Sequence, residues 1–153
     1  MNATTELLAY CGLYCGDCAG CSGEIAEAAA TLLREIECHR FERTAKSLFA
    51  EELPDYDAFQ RALEFVSGLK CSATCRARKE PCGIARCCLD RGFRGCYECD
   101  GFEECDKLAS LEDLHGDACV LNLRAIRRMG PEAWLVGAHR LWFGSDVDGA
   151  PAE

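Results

Sequence analysis

The sequence contains no apolar run long enough to cross a membrane. Its N-terminal stretch, MNATTELLAYCGLYC, also lacks the basic start and the apolar length of a signal peptide. These two absences predict a cytoplasmic protein that does not contact a membrane. Thiols are kept reduced in the cytosol, so clustered cysteines there bind metal or carry redox chemistry more often than they form disulfides.

Catalytic motifs are missing as well. Only 3 histidines occur in the chain, and there is no H-E-x-x-H segment and no recognisable Ser-His-Asp or Cys-His arrangement. A catalytic zinc site commonly has three protein ligands, often including histidine or glutamate, and one open position. The sequence therefore leaves enzymatic activity open but favours a role without catalysis.

Sustained strand alternation, long repeats and low-complexity linkers are also absent. A chain of 153 residues suits one compact domain with a single core. We therefore expect one cysteine-rich, metal-binding helical domain that covers residues 1–153.

Four segments carry apolar residues at helical spacing. The first, EIAEAAATLLREIECHRFERTAKSLFAEE, follows Ser22 as N-cap and loses its phase near residues 38–41, which predicts a long helix that bends or breaks there. Asp55 caps the second, DYDAFQRALEFVSG, and Gly68 ends it. The third spans residues 118–129, and the fourth, EAWLVGAHRLWF, follows a Gly-Pro break. These patterns predict an all-α fold, a small irregular helical domain in which two cysteine-rich loop segments pack together. The apolar positions of the first helix are Ile25, Ala29, Leu32, Leu33 and Ile36.

The charge of the chain is acidic overall, with a net value of −9. This balance argues against nucleic acid as a partner, because such binding needs a basic field that displaces counterions. Basic residues nevertheless concentrate between residues 70 and 95, in the most cysteine-rich part of the chain. A zinc ion held by four thiolates is a dianion, so we interpret this segment as charge compensation for a metal site. A small anion-binding patch is the alternative. The basic residues are Lys70, Arg76, Arg78, Lys79, Arg86, Arg91 and Arg94.

Cysteine is unusually frequent, with 14 in the chain, and most of these cysteines fall in short loops with C-x2-C, C-x3-C or related spacings. A C-x2-C loop lets two sulfurs converge on one ion from a tight turn, and two such loops give tetrahedral sulfur coordination. The spacings predict metal, but they do not choose between zinc and iron. The predicted metal ligands are Cys11, Cys15, Cys18, Cys71, Cys75, Cys82, Cys87, Cys96, Cys99 and Cys105.

The remaining cysteines do not fit these spacings. Cys38, Cys88 and Cys119 lie in helical patterns, and we predict that all three are buried core residues, as free cysteines in helices usually are. Cys21 stays open between the two roles. An even number of cysteines allows complete disulfide pairing, but the adjacent Cys87 and Cys88 and the predicted compartment argue against it.

The histidines are not expected to bind metal. His115 and Cys119 are four residues apart on a predicted helix, which could present both to one ion. We instead expect His115 near a helix start and exposed, and His39 and His139 at exposed or half-buried positions.

Three segments together resemble a known family. A-Y-C-G-L-Y-C-G-D-C, C-G-I-A-R-C and R-G-x-x-x-C-Y-E-C-x-x-F-x-x-C look like a prokaryotic cysteine-rich family of domains of unknown function. Its members begin with Y-C-G-L-x-C-x-x-C and end with C-x-x-C-x-x-(F/Y)-x-x-C. The resemblance spans most of residues 7 to 110, implicates the same ten cysteines and implies metal, with zinc favoured, but it brings no activity. Many members carry a further cysteine where this chain has Lys79.

Three functions fit these patterns. The first, which we predict, is a helical module that holds structural zinc on cysteine thiolates and binds an unidentified protein partner. The second is a small iron–sulfur protein that transfers or senses electrons, because the C-x2-C-x2-C run at Cys15, Cys18 and Cys21 resembles ferredoxin spacing without its final C-P. The third is a thiol-based redox or metal-handling protein.

Overall fold

A computed structural model describes residues 4–137 and 140–144, and within these residues the fold is all-α, as predicted. The β pairing in this part of the chain is a single antiparallel bridge between Leu8 and Tyr14. No helix among the same residues has both the length and the apolar character of a membrane span. Short 3-10 turns occur at Thr5–Leu7, Cys15–Asp17, Cys96–Glu98 and Phe102–Glu104. The α-helices are α1 (Ala19–Ser22), α2 (Glu24–Cys38), α3 (Phe41–Leu48), α4 (Tyr56–Ser67), α5 (Gly83–Asp90), α6 (Asp106–Ala109), α7 (Glu112–His115), α8 (Ala118–Met129) and α9 (Pro131–Gly137).

The chain forms two compact units. Residues 19–72 make up the first, the helical unit. Residues 4–18 and the described residues from 73 onward make up the second, the cysteine unit. The expectation of a single domain over residues 1–153 stays a prediction.

The helical unit begins and ends its helices where local chemistry dictates. The predicted break lies between α2 and α3, where Arg40 adopts a left-handed backbone with φ 49° and ψ 41°. The Asp55 carboxylate accepts a hydrogen bond of 2.8 Å from the Ala58 N–H and caps α4, also as predicted. The predicted N-cap of the first helix was wrong, because Ser22 ends α1 and the left-handed Gly23, with φ 78°, precedes α2.

The core of the helical unit is a cluster of buried Ile36, Ala45 and Tyr56, against which Phe41, Leu53, Phe59 and Leu63 pack. The inward face of α2 agrees with the prediction at Ala29 and Ile36, but not at Ile25 and Leu32. Ile25 and Leu32 are 56% and 45% exposed, whereas Ala26 and Ala29 are buried. Alanine lets a neighbouring helix approach closely, so the small residues of α2 face the unit and two of its larger ones face solvent.

The cysteine unit is organised around α8, whose bounds, Ala118–Met129, are those predicted. Gly130 has φ 85° and ends the helix, and Pro131 begins α9. The predicted fourth helix was too long, because residues 140–144 are not helical; residues 138 and 139 lie outside the described part of the chain. Asn122 explains the change, since its side chain donates to the Leu141 carbonyl at 2.8 Å and accepts from the Leu141 N–H at 3.1 Å.

The N-terminal loop packs against the second cysteine segment within this unit, as predicted. The Cys96 N–H donates to the Tyr10 carbonyl at 2.8 Å. The Arg76 guanidinium donates to the carbonyls of Leu8 and Arg94, both at 2.6 Å, and lies over the Tyr10 ring at 4.3 Å. Arg76 thus fixes the two segments to each other, and this arrangement brings their cysteines close.

Candidate metal centre

A small cavity of about 30 Å³ in the cysteine unit is lined by five cysteines. This volume holds one water-sized atom or ion. Apolar side chains, among them Ile84, Phe93, Phe102 and Leu108, form much of the remaining wall. The cavity therefore offers sulfur donors in surroundings that exclude bulk water. Its cysteines are Cys87, Cys88, Cys96, Cys99 and Cys105.

Local structure explains how these side chains reach one place. Helix α5 supplies Cys87 and Cys88. The 3-10 turn after Gly95 supplies Cys96, and the Cys99 N–H closes this turn by donating to the Cys96 carbonyl at 2.9 Å. Cys105 immediately precedes α6 and accepts the hydrogen bonds that start this helix. Three separate elements thus present sulfur to the same cavity.

Cys88 Sγ and Cys96 Sγ lie 3.6 Å apart at this cavity, within thiol hydrogen-bond distance. A disulfide would hold the sulfurs at about 2.05 Å. A tetrahedral zinc site with Zn–S bonds of about 2.3 Å separates its sulfurs by about 3.8 Å. In a cubane iron–sulfur cluster each cysteine binds a different iron, so the cysteine sulfurs lie farther apart. The spacing of this thiol pair is therefore compatible with two sulfurs on one ion.

Burial disfavours the charged form of two of the cavity thiols. Burial is the main cause that raises the pKa of both Cys88 and Cys96. Arg91 donates from Nη1 to Cys99 Sγ at 3.7 Å. This contact is the kind of charge compensation that the basic segment predicts, because a guanidinium stabilises a neighbouring thiolate.

A second group of thiols lies at the N-terminal loop. The Cys75 thiol donates a hydrogen bond to the Cys15 sulfur, and this bond, with Arg78 nearby, lowers the pKa of Cys15 to about 6. Cys75 keeps its proton and its pKa is raised. Cys119 of α8 donates to Cys11 in the same way, which lowers the pKa of Cys11 and raises that of Cys119. In each pair, one thiol thus has a lowered pKa and its partner a raised one.

The other predicted ligands are Cys18, Cys71 and Cys82. Cys18 is half-buried and ends the turn Cys15–Asp17, and Cys82 is exposed at the N-cap of α5. Cys71 belongs to the helical unit, where its N–H donates to the Gly20 carbonyl at 2.7 Å. Across residues 4–137 and 140–144, no three Cys, His, Asp or Glu side chains already converge as a ready coordination sphere. The ligand set therefore stays a prediction.

Three cysteines outside the loop spacings have different environments. Cys38 is exposed at the end of α2, so its assignment to the core was wrong. Cys88 and Cys119 are buried, as predicted, but each contacts another thiol. The signal for Cys88 was its place beside the predicted ligand Cys87 on a short helix. No local spacing pointed to Cys119, because its partner Cys11 is far away in the sequence.

The histidine prediction was also wrong at one position. His115 is buried and ends α7, where its Nδ1 lies 2.8 Å from the Trp142 carbonyl. Gly116, with φ 54°, separates α7 from α8, so His115 and Cys119 do not share a helix. His39 is exposed, as expected, and His139 lies outside the described residues.

Comparison with known proteins places this chain by family. No curated protein and no solved structure matches it. A family model does match, over residues 7–110, which contain the helical unit and both cysteine segments. Since this match covers more than half of the chain, the chain belongs to the family described as "Protein of unknown function (DUF3795)".

Proposed function

We propose that the protein is a zinc-stabilised module, in which the cavity cysteines hold one structural ion as thiolates. Cys88, Cys96 and Cys99 supply three of the ligands, and Cys87 or Cys105 supplies the fourth. The observation that carries this proposal is the 3.6 Å separation of the Cys88 and Cys96 sulfurs at a cavity lined by five cysteines.

The residues fit zinc by their chemistry. Sulfur is a preferred donor for this ion, and a structural site has four protein ligands and no open position. Cysteine has one side-chain torsion with three staggered wells, so small rotations about Cα–Cβ can bring sulfurs at one cavity wall onto one ion. The apolar walls of the cavity would keep water from the ion. Such a site supplies a crosslink between elements and no catalysis.

The role of the ion follows from the size of the unit. The cysteine unit is small and has a modest core, and metal binding adds to folding free energy when the site exists only in the folded state. Zinc would join α5, the Cys96–Glu98 turn and the start of α6. With these elements held together, the surface of the cysteine unit would have one defined conformation that a protein partner can bind.

The test is to purify the protein without oxygen, record its visible spectrum and measure zinc and iron per chain. We expect a colourless protein with zinc, and a Cys96→Ser variant with less zinc and a lower melting temperature. Cys38→Ser is the matched control, because Cys38 is exposed and lies in the helical unit. A brown protein with iron and broad absorbance near ~400 nm would replace the proposal with an iron–sulfur function. Full zinc content in Cys96→Ser would exclude this residue as a ligand.

A further inference from the structure

We propose that the helical unit binds a small organic acid, a carboxylate with an apolar body, in a cavity lined by α2, the turn at Arg40, α3 and α4. The cavity has a volume of about 270 Å³, which is near the lower end of the range of about 300–1,000 Å³ for small-molecule sites. The volume suits a ligand with one ring or a short chain. This site lies within residues 33–60 and is independent of the cysteines.

The cavity has an apolar side and a basic side. Leu33, Ile36 and Tyr56 supply apolar surface, and Ile36 and Tyr56 belong to the core of the unit. Arg40 and Arg43 supply two guanidinium groups. A site with an apolar wall and a few convergent polar groups is the usual form of a small-molecule site.

The basic side chains of the lining have no carboxylate partner. Within residues 4–137 and 140–144, the side chains of Arg40 and Arg43 form no ion pair or hydrogen bond. The two carboxylates of the lining are those of Glu37 and Glu42, and Glu42 pairs with Lys46, which it shares with Asp57. Neither guanidinium is therefore satisfied by the protein. Two such groups favour an anionic ligand, since Arg binds carboxylates in a bidentate manner.

A buried hydroxyl at this cavity also lacks a partner. Tyr56 is 2% exposed, and its hydroxyl group makes no hydrogen bond. An unpaired buried polar group costs about 1–3 kcal/mol. Burial raises the pKa of Tyr56, so the hydroxyl keeps its proton and remains a donor. A carboxylate oxygen would accept the hydrogen bond that the protein itself does not provide.

The backbone conformation of Arg40 also supports a ligand site at this cavity. Arg40 has φ 49° and ψ 41°, and it is the single residue other than glycine with positive φ among those described. Glycine would adopt this conformation without strain, whereas a side chain there costs of order 1 kcal/mol. Strained residues of this kind cluster at ligand sites. An arginine at this turn is explained if its guanidinium has a ligand to hold.

The probe for this proposal is benzoate, with neutral benzamide as a control of the same size. Binding is followed by backbone amide chemical shifts and by calorimetry on the full chain as purified with its metal. We expect benzoate to shift amides of α2, α3 and α4 around the cavity, and benzamide to bind at least several-fold more weakly. Benzoate that causes no shifts, or that shifts residues elsewhere, would overturn the proposal.

Three variants separate a ligand site from a structural role. Arg40→Gly removes the guanidinium and the strain together, so we expect a protein at least as stable as the parent that binds benzoate roughly tenfold more weakly. Tyr56→Phe should weaken binding while stability stays equal or rises, because it deletes an unpaired polar group. Arg34→Gln, on α2 and bonded to Thr31, should change neither. Benzoate affinities in Arg40→Gly and Tyr56→Phe equal to that of the parent would show that the cavity holds only water.

Discussion

The sulfur of Cys88, on α5, lies 3.6 Å from the sulfur of Cys96, on the turn that follows this helix, and both side chains are buried. Two explanations account for a buried cysteine in a helix, packing and ligation. The two explanations predict different effects of a Cys→Ala substitution. If the cysteine only packs, the substitution removes a small apolar contact. If the cysteine is a ligand, the substitution also weakens the binding of the ion.

The first prediction concerns Cys88→Ala. If Cys88 is a ligand, this variant should contain less zinc, and its melting temperature should fall by more than the loss of a small side chain explains, which is about 1 kcal/mol. The melting temperatures of the parent and the variant are compared before and after chelation of the metal. We expect most of the difference between parent and variant to vanish once both are metal-free. An equal difference in the two states would show that Cys88 only packs.

The second prediction concerns Gly12→Ala. Gly12 has φ +88°, and an added Cβ would lie 2.8 Å from Leu123 Cγ and 3.1 Å from the Cys119 carbonyl. Both the backbone strain and the clash with α8 should lower the free energy of unfolding by about 2 kcal/mol or more. Gly83→Ala is the control, because an added Cβ there meets no atom within 4 Å. Urea unfolding of the two variants checks this, and equal stabilities would contradict it.

The third prediction concerns Asn122→Ala. Asn122 is 1% exposed, and its side chain forms hydrogen bonds with both the N–H and the carbonyl of Leu141. Its removal leaves a buried donor and acceptor unsatisfied and should cost about 2–4 kcal/mol. Gln60→Ala removes an amide that bonds to Glu64 on the surface of α4, and it should cost less than about 0.5 kcal/mol. Thermal unfolding distinguishes the two, and a mild Asn122→Ala variant would show that the 140–144 segment does not depend on this side chain.

The fourth prediction concerns pH. The Arg94 N–H and guanidinium donate to the Glu98 carboxylate at 2.8 and 2.7 Å. These contacts lower the pKa of Glu98, and the bond from the backbone N–H has the largest effect. A carboxyl with a lowered folded pKa stabilises the fold above its ordinary pKa of 4.5, and this contribution is lost as the pH falls through the folded value. Glu98→Gln should therefore be about 1 kcal/mol less stable than the parent at neutral pH.

The measurement is the difference in unfolding free energy between parent and Glu98→Gln from pH 7 to pH 3. Both proteins keep the same cysteines, so common effects of metal loss cancel in the difference. The difference should be constant down to about pH 4.5 and shrink below it. If the difference in unfolding free energy increased as the pH fell, the contact between Arg94 and Glu98 would not be what stabilises this loop.

The fold was predictable where local chemistry decides it. Helix α8 was predicted to the residue, because Gly130 and Pro131 mark its end and the next helix start. The break at Arg40 followed from a loss of apolar phase. The inward face of α2 was predicted correctly at Ala29 but not at its neighbours, because a closely approaching helix favours the small Ala26 over the larger Ile25.

The candidate site was predictable in its chemistry but not in its pairing. Loop spacing predicted Cys96, Cys99 and Cys105 as ligands without grouping them, and the structure places all three at one cavity. Their role as ligands stays a prediction. The contacts of Cys88 with Cys96 and of Cys119 with Cys11 depend on tertiary packing, and no spacing along the chain encodes them. These contacts between thiols could therefore be identified only from the structure.

Helix α8 has a consequence for how this chain can be truncated. The family match ends at residue 110, whereas α8 begins at Ala118 and buries Leu123 completely, at the place where Gly12 of the N-terminal loop approaches it. A fragment that stopped at residue 110 would expose the side of the cysteine loop that α8 covers. In this chain, the segment that matches the family therefore depends on a helix outside the match.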